Sequence, residues 1–338
     1  MLQSIPMLEA QRVAVNIAAT NALAALPNCL ESLDAQTDRA FTVTVVDNAS
    51  TDGTVSWLQD RRPDVAVLRN FRNQEFSRAQ NQAFAFAKSR WSEEGLAKRY
   101  VLVLAPDIEL APTALEALVG VMEADAGIAV AGPKILNSKV TGVREDGGRE
   151  TERMDTLRST GLFISKSRRV THRGRGETDR GTYDAAADVF GVSSACALYR
   201  VSSLLEVQTL EEIFDEDFGG ILTDADLSWR MRRQGFRARF VPEAVAWQHF
   251  GVPDRVSPES VRNAFWLVWK NDEWMNRLAA APWIMMNVVV DFFRGLISPA
   301  RIKGFFLAIP GWFRMRQKRK AAESKVVVRD ARMRRFFV

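Results

Sequence analysis

A β-branched run that stops on an acid constrains this 338-residue chain more than any other feature: Val43–Thr54 reads V-T-V-V-D-N-A-S-T-D-G-T. The apolar stretch from Phe41 to Val46 has the composition of a strand buried on both faces, which is the signature of a parallel sheet. Asp47 ends it, and Asn48, Ser50, Thr51, Asp52 and Gly53 form a cluster that favours turns and helix N-caps. A strand that ends on a carboxylate and turns into a helix is where open α/β sheets bind nucleotides. There Asp47 would accept hydrogen bonds from a base N–H or a ribose hydroxyl. Equally, its aspartates are ordinary caps of a strand–turn–helix joint.

The same alternation recurs along the chain. Val13–Thr20 reads as a strand stopped by Asn21, and Ala22–Gln36 as a helix with Leu23, Leu26, Leu30 and Leu33 on one face. After Phe41–Val46 come a short helix (Gly53–Arg62), a strand (Val65–Arg69), a polar turn (Asn70–Glu75) and a helix (Ser77–Arg90). Tyr100–Leu104 is a further strand, broken at Ala105-Pro106-Asp107, and Ile128–Ala131 another, ended by Gly132-Pro133. Alternating strands and helices with short connections predict a doubly wound, mostly parallel α/β sheet. Residues 137–182 are polar and rich in Gly, Arg and Asp, and are expected to form an active-site loop. Asp188–Arg200, Phe236–Val241 and Ala244–Trp247 return to strand-like residues.

Two further acidic stretches carry chemistry. In Ala105–Leu110, Pro106 removes a ladder donor and leaves Asp107 at a strand end. A carboxylate there can hold Mg²⁺ or Mn²⁺ against diphosphate oxygens, or cap the next helix. In Thr223-Asp-Ala-Asp-Leu-Ser-Trp-Arg230 the periodicity predicts a helix closed by Gly235, with Asp224 and Asp226 at its N-terminus. Capping accounts for one such aspartate; the other fits a general base that takes a proton from an acceptor hydroxyl.

The C-terminal part differs in kind. Residues 301–338 hold twelve lysines and arginines against two acids, a net +10, so the overall +5 leaves about −5 on the rest. Trp274–Leu296 and Ile302–Phe313 read as aromatic-rich helices, but the longest uncharged run, Leu278–Val290, has 13 residues. A bilayer takes about 20 apolar residues to cross. The pattern fits helices lying in the interface of an anionic leaflet, or a helical cap with a basic tail. With the basic charge confined to the tail and no base-stacking platform, nucleic acid is not an expected partner. Cys29 and Cys196 form no disulfide framework, which argues for a reducing compartment, and the N-terminus lacks the layout of a signal peptide.

The order of these pieces resembles the family 2 glycosyltransferases, in particular the bacterial rhamnosyltransferase-like branch, over about residues 12–271. Val45-Val-Asp-Asn-Ala-Ser-Thr-Asp-Gly53 is similar to the family's nucleotide-binding turn, and Asn73-Gln-Glu-Phe76 with Asn81 to its Asn-x-Gly-Phe…Asn segment. Ala105-Pro-Asp107 stands where the family has its metal-binding motif, and Asp224-Ala-Asp-Leu-Ser-Trp-Arg230 resembles its base-bearing helix. The resemblance implies a GT-A fold over residues 10–255, with a nucleotide half to about 135 and an acceptor half to about 255. An amphipathic, membrane-associating helical extension is expected over 256–338.

It further implies an inverting, metal-dependent transfer in which Asp224, with Asp226 beside it, is catalytic. Thr20, Asn21, Asp47, Ser50, Asp52, Arg78, Asn81 and Asp107 would line the nucleotide-sugar, and Asp107 and His249 would hold the metal. The implied donor is dTDP-L-rhamnose and the implied acceptor a polyprenyl-diphosphate-linked glycan. The implied location is peripheral, on the inner face of the cytoplasmic membrane. Five positions depart from the family pattern: Thr20, Glu75, Ala105, Thr223 and Gln248. They make a non-catalytic nucleotide-sugar-binding scaffold the alternative.

Overall fold

The computed structural model describes residues 11–144, 148–249, 256–295, 298–328 and 333–337. The expected boundary at residue 255 and the tail residues Arg329, Asp330 and Arg332 lie outside them. The sequence alternation becomes β1 (Val13–Ala19), α1 (Leu26–Asp34), β2 (Phe41–Asn48), α2 (Thr54–Arg61), β3 (Ala66–Asn70), α3 (Glu75–Lys88) and β4 (Tyr100–Leu104). These four strands are parallel neighbours, in the order β4–β1–β2–β3. Successive residues of β1 serve opposite layers, as strand geometry requires. Val13, Val15 and Ile17 pack with Leu26, Leu30 and Leu33 of α1. Ala14 packs on the other face with Phe84 of α3.

The helix expected from Ala22 begins four residues later. The N–H groups that would open it are captured by the turn after β2: Asn21 N donates to Ser50 Oγ (2.9 Å), Ala22 N to Thr54 Oγ1 (3.2 Å) and Leu23 N to Asp52 Oδ2 (2.9 Å). Pro27, in the first turn, then suits a helix start at Leu26.

The chain continues through β5 (Ile108–Leu110), α4 (Ala114–Ala124), β6 (Ile128–Val143), β7 (Arg149–Ser159), β8 (Leu162–Ile164), β9 (Val170–His172), β10 (Ala187–Val189), β11 (Cys196–Arg200), α5 (Val201–Val207), α6 (Thr223–Arg233) and β12 (Arg237–His249). A ten-stranded mixed sheet results, ordered β10-β12-β6-β11-β4-β1-β2-β3, with β5 on β12 and β7 on β6. The strand expected to stop at Gly132-Pro133 instead runs on to Val143. Pro133 lies opposite Val241, where β12 bulges before resuming at Val245, so its missing N–H falls at a break in the ladder. The polar segment expected as a loop therefore begins as a β6–β7 hairpin.

Beyond the sheet come α7 (Pro258–Asn271), α8 (Trp274–Gly295), α9 (Pro299–Ala308) and α10 (Trp312–Glu323). Trp266 and Leu267 of α7, Ala308 of α9 and Met315 of α10 share one buried cluster with Ala225 and Trp229 of α6. No helix among the described residues is long and apolar enough to cross a membrane. Yet Trp283, Met286, Phe293, Phe306, Trp312 and Phe313 are each 44–74% exposed.

Candidate active site

The carboxyl ends of β1, β2 and β4 meet at one edge of the sheet. Asp47 pairs in register with Ala19, and Ile17 with Leu104, which is followed at once by Ala105-Pro106-Asp107. β11 enters the same edge antiparallel: Cys196 opposes Leu104, and Ala105 N donates to Ala195 O at 2.8 Å. Ser194, just before β11, donates its N–H to Asp224 Oδ2 at 3.3 Å. One continuous run of backbone contacts thus carries Asp224 to the strand end that bears Asp107.

The turn after β2 is a lattice of its own bonds. Asp47 is fully buried, and its carboxylate accepts from Ser50 N at 3.3 and 3.4 Å. The sequence predicts that it reads base or ribose; in the structure it lies enclosed beneath the turn and bonds that turn's backbone. The exposed rim is made by Thr20, Asn21, Thr51 and Asp52, with Ser50 half-buried behind them. Asn21 Oδ1 accepts from Thr51 N at 2.8 Å. Burial alone would raise the Asp52 carboxyl, but hydrogen bonds from Thr54 and the Leu23 N–H outweigh it and hold it below its ordinary value.

Asn81 is also a staple. Half-buried, it donates to Phe214 O (2.8 Å) and accepts from Phe214 N (2.9 Å), pinning the loop before α6. Arg78, half exposed, stands 3.8 Å from Glu216 on that loop. Ser77 Oγ lies 3.3 Å from Thr223 Oγ1 and ties α3 to the start of α6.

Asp107 is half-buried, and Gln248 Nε2 donates to both its oxygens at 3.1 and 3.2 Å. His249 donates its backbone N–H to the Asp107 carbonyl at 3.3 Å, and its ring is within electrostatic reach of the Asp107 carboxylate without a hydrogen bond to it. Its ring Nδ1 bonds Ser138 (2.9 Å) and its Nε2 stands 3.9 Å from Glu109. Burial, reinforced by Arg149, lowers the imidazole's pKa. The expected Asp107–His249 pair is corrected accordingly: the neighbour on the Asp107 carboxylate is Gln248. Among the described residues no three His, Cys, Asp or Glu side chains gather into a ready-made metal centre. A single hard carboxylate at the mouth of a sheet still suits Mg²⁺ or Mn²⁺, which take one or two protein carboxylates and complete their shell with phosphate oxygens and water.

The two aspartates of α6 part company. Asp224 is half-buried, its Oδ1 accepting from Ala225 N at 2.8 Å. Asp226 has no exposed surface, and its oxygens are taken by Arg230 Nε (3.0 Å), Lys270 Nζ (2.8 Å) and Asn271 Nδ2 (2.7 Å). Lys270 also binds Asp215 (2.6 Å), which Lys318 of α10 reaches from the other side. Asp226, expected beside Asp224 as a catalytic carboxylate, is corrected to the anchor of a buried ion network. Sequence reasoning missed that network because its members are far apart in the chain. Only the four-residue spacing of Asp226 and Arg230 on one helix hinted at it.

Comparison with known proteins gives the fold a lineage. A family model described as Glycosyl transferase family 2 matches residues 14–207. The N-acetylglucosaminyl-diphospho-decaprenol L-rhamnosyltransferase of Mycobacterium tuberculosis, strains CDC 1551 / Oshkosh and ATCC 25618 / H37Rv, is 25% identical over 234 residues. The match spans 66% of this chain and 71% of the relative. The crystal structure of GalNAc-T7 with UDP, GalNAc and Mn²⁺ superposes with a TM-score of 0.58 at 15% identity, over 78% of this chain but only 49% of that one. This chain thus spans about half the length of that neighbour. S. aureus TarS 1–349 gives a TM-score of 0.53 at 14% identity, over 94% of this chain and 83% of that one. At such identities the likeness is one of fold. The family match covers more than half of the chain and includes the β1, β2 and β4 ends built above: the chain belongs to glycosyl transferase family 2, and its fold is GT-A.

Proposed function

We propose that this chain is an inverting transferase that moves L-rhamnose from dTDP-L-rhamnose to a polyprenyl-diphosphate-linked glycan in cell-envelope polysaccharide synthesis. The observation that carries the reading is Asp224, a half-buried carboxylate at the N-terminus of α6, tied through Ser194 to the strand end bearing Asp107. In this reading the nucleoside lies on the rim of Thr20, Asn21, Ser50 and Asp52, over the turn that Asp47 shapes. Asp224 takes the proton of the acceptor hydroxyl as its oxygen bonds to the anomeric carbon from the face opposite the diphosphate. The bond from that carbon to the diphosphate breaks, and the configuration inverts. Asp107 would hold Mg²⁺ or Mn²⁺, whose charge would offset that of the departing diphosphate.

The donor sugar is supported by the mycobacterial relative, whose name is that of a rhamnosyltransferase acting on a lipid-linked N-acetylglucosamine. A lipid-linked acceptor also agrees with the exposed Trp283, Phe293, Phe306 and Phe313 and the net positive charge of residues 301–338. Such helices would lie in the interface on the inner face of the cytoplasmic membrane.

The test is release of nucleoside diphosphate from dTDP-, UDP- and GDP-sugars, with Mg²⁺ or Mn²⁺ and a short polyprenyl-diphosphate glycan. Turnover with dTDP-L-rhamnose, abolished in Asp107→Ala, is expected. Turnover with another donor alone overturns the sugar. Binding without turnover favours the scaffold, a reading the Gln248 amide on the Asp107 carboxylate also fits.

A further inference from the structure

We propose that an arginine-lined cleft between the start of α3, the 216–218 turn, α7 and α10 binds the diphosphate of the acceptor lipid. The inference rests on the lipid-linked acceptor proposed above. The cleft has a volume of about 430 Å³, and Arg72, Arg78, Arg262 and Arg314 all line it. That volume falls in the range of roughly 300–1,000 Å³ typical of ligand pockets. Four guanidinium groups from three separate segments converging on one open space make a donor array for a dianion, because each presents a planar fork matched to phosphate oxygens.

Glu75, Glu216 and Asp217 line the cleft too, and the last two pair with its arginines. Glu216 stands 3.8 Å from Arg78, and Asp217 stands 3.3 Å from Arg314 and 2.8 Å from Lys318. Arg262 donates to Asp217 O at 3.2 Å and stacks over the Trp266 ring at 4.4 Å. Arg72 is exposed and makes no ion pair among the described residues.

Two relations favour the acceptor's diphosphate. First, the walls of the cleft are the segments that hold the start of α6. Ser77, next to Arg78, bonds Thr223, and Asn263, next to Arg262, bonds the carbonyls of Phe218 (2.8 Å) and Ile221 (2.9 Å). The cleft therefore adjoins the backbone that presents Asp224, where an acceptor's reacting hydroxyl must come. Secondly, the cleft runs into an apolar surface. Trp266 donates to Ala308 O at 2.9 Å and packs against Gly311. Beside them Phe306, Trp312 and Phe313 are 62%, 44% and 74% exposed. An anion in the cleft with an isoprenoid tail along these rings satisfies both surfaces at once, which a free anion does not.

The test titrates the full chain in detergent with farnesyl diphosphate and, separately, inorganic pyrophosphate. It compares wild type, Arg72→Gln/Arg314→Gln and the charge-matched control Arg316→Gln/Lys320→Gln. All four side chains are exposed, so folding is not at risk. Farnesyl diphosphate is expected to bind wild type more tightly than pyrophosphate, to lose at least tenfold in the first variant, and to be unchanged in the control. The KM for the lipid acceptor should rise by a similar factor with kcat retained. Equal affinity in the two variants, with wild-type turnover on the lipid acceptor intact, overturns the cleft alone. Competition by dTDP also overturns it, by giving the cleft to the donor. A wild type with neither affinity for farnesyl diphosphate nor turnover on a lipid-linked acceptor overturns the acceptor reading and this inference with it.

Discussion

Asparagine at position 226 separates the two aspartates of α6 by experiment. Asp226 is fully buried and bonded to Arg230, Lys270 and Asn271, and Lys270 links it to Asp215 and, beyond it, Lys318. Asp226→Asn keeps the shape but removes the anion that faces Arg230 and Lys270. It also turns an amide N–H₂ toward groups that are themselves donors. Breaking a buried, hydrogen-bonded pair from one side costs about 3–5 kcal/mol. For 338 residues, an unfolding entropy of about 2.1 cal/mol/K per residue gives about 0.7 kcal/mol/K, so the melting temperature should fall by about 4–7 °C. Well below the midpoint, turnover per folded molecule should stay within a few-fold of wild type, since no Asp226 oxygen reaches solvent. Asp224→Asn should do the reverse. Its carboxylate is half-buried and accepts two backbone N–H bonds that an amide oxygen can still accept, so the midpoint should hold within about 1 °C. Turnover should drop by about 10²–10⁴, the contribution of a general base. Scanning calorimetry and nucleoside diphosphate release on both variants give the four numbers. An Asp226→Asn protein that melts like wild type yet has lost about 10² in turnover would refute the assignment and return Asp226 to the reaction.

Glu75, with φ at +61°, occupies left-handed backbone that costs an L-residue about 1–2 kcal/mol, of which glycine gives back about half through its unfolded-state entropy. Glu75→Gly should therefore raise the melting temperature by about 1 °C, and a fall would mean that the carboxylate's contacts over Gly219 outweigh the strain. The ion network also predicts acid lability. Burial alone would raise Asp215 and Asp226, but Lys270 and Lys318 on the first, and Lys270 and Arg230 on the second, hold both below their ordinary value. Their contribution is then complete above the unfolded value of about 3.9 and is lost as pH falls through the depressed folded values. Melting temperature against pH should bend downward below about pH 4, and less so in Asp226→Asn; identical curves would exclude the network as the cause. Replacing Trp283 and Phe306 by Ser should weaken sedimentation with phosphatidylglycerol vesicles at least about tenfold, because each ring is worth about 1.5–3 kcal/mol when buried in an apolar phase. Unaltered binding that salt abolishes would assign the contact to the basic residues alone.

The first half of the fold was legible because its signals are local. Strands expected at Phe41–Val46, Val65–Arg69 and Tyr100–Leu104 are found at Phe41–Asn48, Ala66–Asn70 and Tyr100–Leu104, and the helix expected at Ser77–Arg90 is Glu75–Lys88. β7 escaped notice because R-E-T-E-R-M-D is polar on both faces, and only its pairing with β6 makes it a strand. The site was legible in its acids but not in their uses. Nothing local tells Asp224 from Asp226: the difference lies in Lys270 and Asn271, more than forty residues on. Strand alternation already turns Gln248 and His249 to opposite faces, so that only one of them can meet Asp107; the alignment of β12 with β5 makes it Gln248.

Those distant partners also explain how the site keeps an unfavourable backbone. Four non-glycine residues with positive φ stand at its corners: Asn21 (+49°), Ala49 (+61°), Glu75 (+61°) and Leu222 (+62°). At about 1–2 kcal/mol each, they cost roughly 4–8 kcal/mol. That is comparable with the whole net stability of a typical domain, about 5–15 kcal/mol. Such strain persists only where surrounding bonds over-determine the geometry. Asn21 is held by Ser50, and Glu75 by the Asn73 and Asn48 side chains. Leu222 is held through its own carbonyl, which accepts from Asp226 N at 3.0 Å, while the Asp226 side chain is gripped by Lys270 and Asn271 of α7. Asn263 of α7 secures the neighbouring Ile221 carbonyl. Lys318 carries the grip on to α10 through Asp215. Of the helices that expose large apolar side chains, α10 reaches the turn presenting Asp224, through Lys318, while α7 fixes it directly. A membrane that orders α10 would steady the proposed base through this same chain of bonds.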